Sequence, residues 1–354
     1  MKGMNIIIIL LTALTVFFSN GRTLSITDRS IVHAVGIDKG KNGLKITLQI
    51  FKPEAAGSDT PIDISKANFK TVSAQGESAS EAIGKLSSQL GTEIFFGHLQ
   101  LIVIGEDVTF IRPDEIFEPF ISNKSIYRGV YIASAKNAGE IVSFPIKENA
   151  VTAENYKGII ETAQKRGISL ETTLADIERQ YKPTGSLALT HLELIGDGDE
   201  KRLIPTGSSI LTDTGIKGRI SEEECALFSL FTNKSECNIR VKNASGDYFV
   251  LENAKCSFDV ESKNNAIQIT ANIGAFIGAD KTKCQQLAIE LENSAGALFD
   301  KYYKEGDTDI LGIYRHVRQQ KPALYQRYKS ELYKLYEITD FDIRLTLTEK
   351  SPSD

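Results

Sequence analysis

The sequence predicts an α+β, multidomain fold in which mixed and antiparallel sheets pack against helices. In the segment Leu44 to Ile50, apolar and polar residues alternate with the period of a half-buried strand. In the segment Ala79 to Leu90, apolar residues instead recur at the three- and four-residue steps of an amphipathic helix. Segments of both kinds mix without strict alternation along the 354 residues, which favours α+β over a parallel α/β sheet.

Strands dominate the first part of the chain. Two are predicted at 30–38 and 43–52, and the segment Pro53 to Lys66 is predicted as an exposed loop because proline, glycine and serine interrupt its pattern. Residues 68–107 then predict a strand, a helix and a strand, which together form a β-α-β crossover. Its last strand, Leu99 to Ile104, is apolar at almost every position, so we expect it to be covered on both faces.

The middle of the chain is predicted to be largely helical. Asp107 to Ser122 predicts a short helix interrupted by Pro113, and IYRGVYIAS after it predicts a strand. Two helical patterns lie between Asn149 and Tyr181, on either side of Gly167. The segment SLALTHLELI then returns to the composition of a strand.

The run of small and charged residues GDGDEKR at 196–202 is the best candidate for a domain boundary. It predicts a linker at 196–202 between an N-terminal region, 22–195, made of one or two subdomains, and a C-terminal domain, 203–354. Two or three domains are also what a chain of this length is expected to form.

The second half is predicted to open with a hairpin, LIPTGSSILTDTGIKGRI, followed by a helix that Ser221 and Glu224 begin as an S-x-x-E capping box. Two long strands flank a polar turn at Lys263 to Asn265 and predict an antiparallel pair. The longest helix is predicted from about Lys281 to Lys304. The alternating segment FDIRLTLTE predicts a final strand.

Residues 1–21 have the features of a secretory signal peptide or an N-terminal anchor. Ile6 to Phe18 is apolar apart from two threonines and follows Lys2, as the core of a signal follows its cationic start. As a helix this run is too short to cross the ~30 Å hydrocarbon layer without flanking residues, which favours export over permanent spanning. Ser19 and Gly21 allow a cut after Gly21, but they match the usual small-residue pattern poorly, so an uncut anchor remains the alternative.

The composition argues against nucleic acid as a partner. It does not decide whether the cysteines form disulfides. The net charge is -5 and basic and acidic residues are interleaved, so we expect no nucleic-acid partner. Four cysteines lie in the second half without a C-x-x-C pair, which disfavours zinc: Cys225, Cys237, Cys256 and Cys284. In an exported protein they could form disulfides in three pairings, but buried free thiols are the favoured interpretation.

The sequence contains no arrangement of residues typical of catalysis. The four histidines are scattered along the chain: His33, His98, His191 and His316. No two have metal-ligand spacing, and a lone histidine is more typical of a hydrogen-bonded packing residue. Asp197 and Asp199 resemble a fragment of a calcium loop that lacks its terminal Glu, and they predict a polar turn. Phosphate loops, nucleophile elbows and dinucleotide-binding glycines are absent too, so we predict no catalytic, cofactor-binding or metal-binding residues.

Several stretches taken together resemble a known family. The first is IVHAVGIDKGKNGLKITLQIFKP, and the second is VSAQGESASEAIGKLSSQLGTEIFFGHLQLIVIGED. The second stretch matches at Gly76, Ala82, Ile83, Phe96, Gly97 and His98. In the second half the resemblance continues with GIKGRISEEECALFSLF, and with TDILGIYRHVRQQKP through Asp309, Gly312 and Pro322. Their order over nearly the whole chain resembles the Ger(x)C lipoproteins, the C subunits of nutrient germinant receptors in endospore-forming bacteria.

This resemblance implies an exported, membrane-associated protein of several α+β domains at the outer face of the spore inner membrane. It also implies two partners, the integral membrane A and B subunits, and a role in germination without enzymatic activity.

One departure from the family concerns the lipid anchor. Counting back from Gly36, Ile37 and Asp38, the family's lipidated cysteine falls near Asn20. Because lipid attachment needs a thiolate, we predict no lipid attachment in this chain.

Two functions from different classes are therefore open. The first is a non-catalytic accessory C subunit that promotes germination through protein–protein contacts. The alternative is an exported sensor module that binds a small molecule in a cleft between the two halves, or a degenerate paralogue that is not assembled into a receptor. An envelope hydrolase has little support, because no pair of nucleophile and base can be named.

Overall fold

The computed structural model describes residues 29–52, 68–109, 111–146, 152–233, 236–263 and 266–350. The predicted signal or anchor at 1–21, with Asn20, and the predicted loop Pro53 to Lys66 lie outside these ranges. Within them the chain forms two sheets with helices packed against them, which confirms the α+β prediction.

The strands agree with most of the sequence-based expectations. The larger sheet contains β1 (Arg29–Gly40), β2 (Gly43–Phe51), β3 (Phe69–Gly76), β4 (Glu93–Phe95), β5 (Leu101–Gly105), β6 (Tyr131–Ala135), β7 (Thr172–Thr173), β8 (Ser186–Ile195), β9 (Arg202–Thr212) and β10 (Gly215–Ile220). The smaller sheet contains β11 (Asn238–Lys242), β12 (Tyr248–Lys263), β13 (Ala266–Ile277) and β14 (Thr339–Glu349).

The helices lie between these strands. In chain order they are α1 (Ala79–Leu90), α2 (Pro113–Ile121), α3 (Ala138–Ser143), α4 (Thr152–Lys165), α5 (Leu174–Asp176), α6 (Lys182–Thr184), α7 (Glu222–Ser229), α8 (Lys281–Phe299), α9 (Tyr314–Gln320), α10 (Pro322–Tyr328) and α11 (Leu332–Glu337). A π-helix, Ile177–Tyr181, joins α5 to α6, and a second one, Asp300–Lys304, extends α8. The longest predicted helix is thus confirmed.

The larger sheet is mixed. Its strand order is β10-β9-β8-β6-β5-β1-β2-β3, with β4 beside β1 and β7 beside β6. β1 runs parallel to β5 and antiparallel to β2, which in turn is antiparallel to β3. β3, α1 and β5 therefore form the predicted β-α-β crossover. Every residue of β5 is buried, because apolar clusters cover both of its faces, as the sequence predicted.

The segment 196–202, predicted as a linker, is the turn of a hairpin in the structure. β8 and β9 pair antiparallel on either side of it, and Gly198–Glu200 forms a 3-10 turn between them. Small and charged residues suit a tight turn as well as a linker, so composition could not separate the two. The chain leaves the larger sheet only after β10. Whether 22–195 and 203–354 fold as separate domains stays a prediction.

The helix predicted at 107–122 also differs in detail. Pro113 begins α2 instead of interrupting a helix, and the helix continues through Pro119. Proline is tolerated at the first helical position because its missing N–H would have no partner inside the helix. The expectation of an interruption at Pro113 is therefore wrong.

The second half largely follows its sequence pattern. Ser221 and Glu224 form the predicted capping box at the start of α7. β12 and β13 pair antiparallel as predicted, whereas β14 joins the sheet in parallel beside β13. One apolar core combines residues of the smaller sheet and α8 with residues of β8, β9 and β10, so the two sheets share buried surface.

Candidate functional site

Asp38, from the first family motif, binds the start of a helix. Its carboxylate accepts the backbone N–H of Ala138 at 2.6 Å and that of Gly139 at 2.7 Å, the first two residues of α3. A Cβ added at Gly36 would lie only 2.8 Å from the backbone of Ala138, so a side chain at Gly36 would push α3 away from β1. Burial raises the pKa of Asp38, although the two N–H donors lower it. These contacts give Asp38 a structural role.

The second family stretch ends with the residues I-G-E-D, Ile104 to Asp107, which lie at the end of β5 and reach the same junction. Ile37 on β1 is in register with Ile104, so the two motifs end side by side. A Cβ at Gly105 would lie 2.6 Å from Oδ1 of Asp38. The carboxylate of Asp107 accepts the backbone N–H of Lys39 at 3.3 Å. Residues that are distant in sequence therefore form one corner of the fold, at which β1, β5 and α3 meet.

Asp309, from the motif of the second half, has a similar structural role. It is fully buried, and its carboxylate accepts the N–H of Ile313 at 2.8 Å and that of Tyr314 at 2.9 Å, at the start of α9. Burial raises the pKa of Asp309, whereas these N–H donors and Tyr303 lower it.

The backbone around Asp309 connects the two halves of the chain. Its N–H donates to Oγ of Ser186 on β8 at 2.9 Å. The side-chain amide of Gln180, in the π-helix Ile177–Tyr181, donates to the carbonyls of Asp309 and Ile310, both at 2.9 Å. Gly312 has a left-handed φ of 65°, and a Cβ there would lie 2.9 Å from the Gln180 side chain. This motif therefore fixes how the halves pack.

Two of the histidines lie together although they are distant in sequence. The rings of His33 and His98 are 6.4 Å apart, and Phe51 and Phe95 pack beside them. Burial and the neighbouring His98 lower the pKa of His33. Among the described residues, no group of three or more His, Cys, Asp or Glu side chains could hold a metal ion. His316 lies apart and packs on Phe258.

His191 lies in a buried polar cluster on the larger sheet. Its Nδ1 is 3.1 Å from Oγ of both Ser134 and Ser209, and its Nε2 is 3.4 Å from Glu193. Burial and the charge of Arg219 lower the pKa of His191 to about 4. Serine, histidine and glutamate are also the residue types of a hydrolase, but Ser134 and His191 are 0% and 1% exposed. A substrate cannot reach Ser134 in this arrangement.

All four cysteines are buried free thiols, as favoured from the sequence. Burial raises the pKa of Cys225 and of Cys256 to about 12. At neutral pH such thiols hold their protons and have little nucleophilic character. They contribute to the apolar core of the second half.

The smaller sheet has one buried and one exposed face. Along β11 and β13, buried residues alternate with more exposed ones, and the buried residues belong to the core that includes α8. β12 alternates in the same way except at a bulge near Asn253. The alternate, more exposed residues of these strands form the other face, which we call the outer face.

A group of large side chains lies on the outer face. Tyr248, Val250 and Phe276 are 54%, 46% and 44% exposed. Phe276 is in register with Glu252, two residues from Val250, so Val250 and Phe276 are diagonal neighbours. Arg240 is opposite Val250, and its guanidinium lies 3.8 Å from the centre of the Tyr248 ring. We call Arg240, Tyr248, Val250 and Phe276 the outer patch.

The outer patch has the composition of a protein-binding surface. Aromatic residues and arginine are enriched where proteins bind one another, and neighbouring exposed apolar side chains mark such sites. A depression of about 600 Å³ lies beside Phe276, where Gly274 leaves open space between Lys255 and Thr346.

The outer patch was not predicted from the sequence. The available signal is the run Tyr248 to Leu251, four consecutive apolar residues in a strand that otherwise alternates. Only the pairing of β12 with β13 brings Phe276 beside this run.

Residues 23–194 match the family model described as the Spore germination protein N-terminal domain. The spore germination protein YndF of Bacillus subtilis (strain 168) is 22% identical, and the match covers 91% of each chain. YfkR of the same organism is 23% identical over 71% of this chain and 67% of its own length. The fold is also similar to the crystal structure of the GerBC protein, with a TM-score of 0.56 and 15% sequence identity. The superposition covers 90% of this chain and 97% of the GerBC chain. Together these matches support a Ger(x)C family protein.

For this Ger(x)C protein, the family and the shared fold support a role of the germinant-receptor C-subunit type. The family is compatible with a location at a membrane. No helix in the described stretches is long and apolar enough to span one, and the apolar run Ile6 to Phe18 lies outside them. In this Ger(x)C protein the motif residues Asp38 and Asp309 hold the starts of α3 and α9, and the outer patch is the candidate functional surface.

Proposed function

We propose that the protein is a non-catalytic accessory C subunit of a spore nutrient germinant receptor. It acts by contacts with the integral membrane A and B subunits at the outer face of the spore inner membrane and so promotes germination. The observation that carries this proposal is the outer patch, an exposed group of large side chains in a chain of the Ger(x)C family. The buried contacts of Asp38, Asp309 and His191 support it, because none of the three is open to a substrate.

The geometry of the outer patch favours a protein partner. The guanidinium of Arg240 is already stacked on Tyr248, so less side-chain freedom is lost when a partner binds. Val250 and Phe276 can insert into a partner as apolar anchors, and the adjacent depression can receive a side chain in return.

The proposed location depends on the first residues. With Asn20 at the expected cysteine position, the protein is exported without lipid attachment. It then stays at the membrane through its partner subunits or through an uncut leader at 1–21. Mass spectrometry of the N-terminus from spores separates these two routes, and a diacylglycerol on the chain would contradict the proposal.

Co-purification from spore inner membranes tests the proposed contacts. A tagged wild-type chain is compared with two tagged variants, Phe276→Asp and Ile289→Asp. Ile289→Asp is the matched control, because Ile289 is also exposed, at 59%, but lies on α8, which packs on the opposite side of the sheet. We expect the A and B subunits with the wild-type chain and the control, and about tenfold less with Phe276→Asp, since burying an unpaired charge weakens an interface. Equal recovery with both variants, or no A and B subunits with the wild type, would contradict the proposal.

A second candidate function, an exported small-molecule sensor, has one observation in its favour. A cleft of about 520 Å³ lies between the two halves, as that hypothesis requires. Thermal unfolding of the protein with amino acids, sugars and nucleosides tests it. A saturable rise in Tm with one of them would support a sensor, and no rise with any of them would remove this candidate.

A further inference from the structure

The cleft between the halves is formed by elements far apart in sequence. One wall is the π-helix Ile177–Tyr181 with α6, and the other is Gly312 with α9. Its volume of about 520 Å³ falls in the range of small-molecule sites. π-helical turns occur frequently at functional sites because they redirect side chains that an α-helix would place elsewhere.

Basic side chains from both halves line this cleft. They are Arg179 and Lys182 from one wall and Arg315 and Arg318 from the other. Within the described stretches of the chain, none of the four forms an ion pair with a carboxylate. Arg318 lies 6.0 Å from the ring of Tyr325, and Arg315 acts at a distance on the buried Asp309, whose pKa it lowers.

The acidic residues of the same cleft have other partners. The carboxylate of Asp176 accepts both the N–H and the hydroxyl of Thr173, at 2.9 and 2.7 Å, in the turn that begins α5. Glu178 lies 3.7 Å from Arg128. Neither carboxylate forms an ion pair with the four basic side chains of the cleft.

The cleft thus holds four basic side chains against two carboxylates, whereas the chain as a whole has a net charge of -5. Like charges held in one cleft repel one another, and a bound anion offsets that repulsion. The planar guanidinium matches the two oxygens of a carboxylate or a phosphate, and three of the four side chains are arginines.

The cleft is also held in place before any ligand binds. Gln180 bridges its two walls through the carbonyls of Asp309 and Ile310. Gly312 allows that approach because it lacks a Cβ. A preformed cleft reduces the ordering that binding requires.

We propose that this cleft binds a multivalent oxyanion, one that carries two or more phosphate or carboxylate groups. Arg179 and Lys182 bind one end and Arg315 and Arg318 the other, so that the anion bridges the two halves and stabilises their packing. The site is separate from the outer patch, and its failure would leave the receptor-subunit proposal standing. The oxyanion has two possible sources, a free small molecule and the headgroup of an anionic lipid.

Thermal unfolding of the full chain in detergent tests the proposal, with inorganic pyrophosphate and citrate as probes and sodium chloride at matched ionic strength as reference. We expect a saturable rise in Tm with at least one probe. In the double variant Arg179→Gln/Arg315→Gln the apparent affinity should fall at least tenfold, because one basic group is removed from each wall. Arg202→Gln, an exposed arginine on β9 outside the cleft, should bind like the wild type.

A second double variant, Lys182→Gln/Arg318→Gln, covers the case in which the first does not fold, and it should show the same loss. Co-sedimentation with cardiolipin vesicles, whose headgroup carries two phosphates, against phosphatidylcholine vesicles, separates the two sources. If the wild-type chain binds the vesicles and both double variants do not, the ligand of the cleft is a lipid headgroup. If the wild-type chain binds a probe but not the vesicles, the ligand is a free anion. A rise in Tm no larger than that with sodium chloride, or an equal rise in the folded double variants, would overturn the proposal.

Discussion

Asp38 and Asp309 are two motif residues that each hold the start of a helix. Each carboxylate accepts the first N–H groups of a short helix, α3 for Asp38 and α9 for Asp309. Such charge-assisted bonds to a helix start are among the stronger ones in proteins. The family resemblance pointed to both residues, but their role could not be predicted. The partner of Asp38, for example, lies 100 positions further along the chain.

The buried His191 predicts that the stability of the protein depends on pH. Its folded-state pKa of about 4 lies below its ordinary value of 6.5, so the unfolded chain binds the proton more readily between these values. The contribution of neutral His191 to the free energy of unfolding is therefore complete above about pH 6.5. It is lost as the pH falls towards about 4, by at most about 1.4 kcal/mol per pH unit. Urea unfolding followed by circular dichroism at pH 7 and pH 5 measures this loss.

The matched variant His191→Gln keeps a hydrogen-bonding side chain at this position but cannot titrate. Asp38 and Asp309 have raised pKa values, so they act in the opposite direction in acid, but they do so equally in both proteins. We therefore expect a smaller loss in the variant than in the wild type. The same loss in both would show that His191 is not buried in its neutral form, with Glu106, Glu193 and Arg219 around it.

At the scale of elements, periodicity predicted the long strands and helices well. Residues 44–50, which alternate with a period of two, form part of β2, and residues 79–90, which carry an apolar stripe, form α1. The strands β4, β7 and β11 were not predicted. β4 and β7 have only three and two residues, and β11 lacks the continuous apolar run that marked the equally short β5. The parallel pairing of β14 with β13 depends on long-range packing, which local pattern does not contain.

Gly312 gives a prediction about how two elements fit together. Gly312→Ala should lower the free energy of unfolding by about 1–3 kcal/mol, because an added Cβ meets Gln180 and the left-handed backbone disfavours alanine. Urea unfolding measures the change. Gly218→Ala is the matched control, since a Cβ there meets nothing within 4 Å, and it should stay within about 0.5 kcal/mol of the wild type. Equal effects of the two substitutions would contradict this packing of the π-helix on the 309–312 turn.

At the scale of the whole molecule, the two sheets share one core. Leu170, Ala188 and Ile210 pack in the same cluster as the buried face of β12 and β13. This continuity could not be predicted from the sequence, because composition placed the boundary at 196–202 and gave no information on which strands pair across it. The outer patch could not be predicted either, because only the strand pairing brings its residues together.

A prediction about domains follows from this arrangement. A fragment that ends at residue 195 loses β9 and β10, so the edge of β8 becomes unpaired. We expect fragment 22–195 to aggregate or to lack cooperative unfolding. Fragment 22–220 keeps all of the larger sheet's described strands and should be more soluble, which expression and circular dichroism can compare. A soluble, cooperatively folded 22–195 fragment would favour the division predicted from the sequence.

The proposed docking of the outer patch on a receptor subunit can be tested by photo-cross-linking in intact spores. A photoreactive phenylalanine analogue is placed at position 276 and, as the control, at position 289. We predict cross-links from position 276 to the receptor A or B subunit and none from position 289, because only position 276 lies on the outer face. Cross-links to these subunits from position 289 and not from position 276 would contradict the claim.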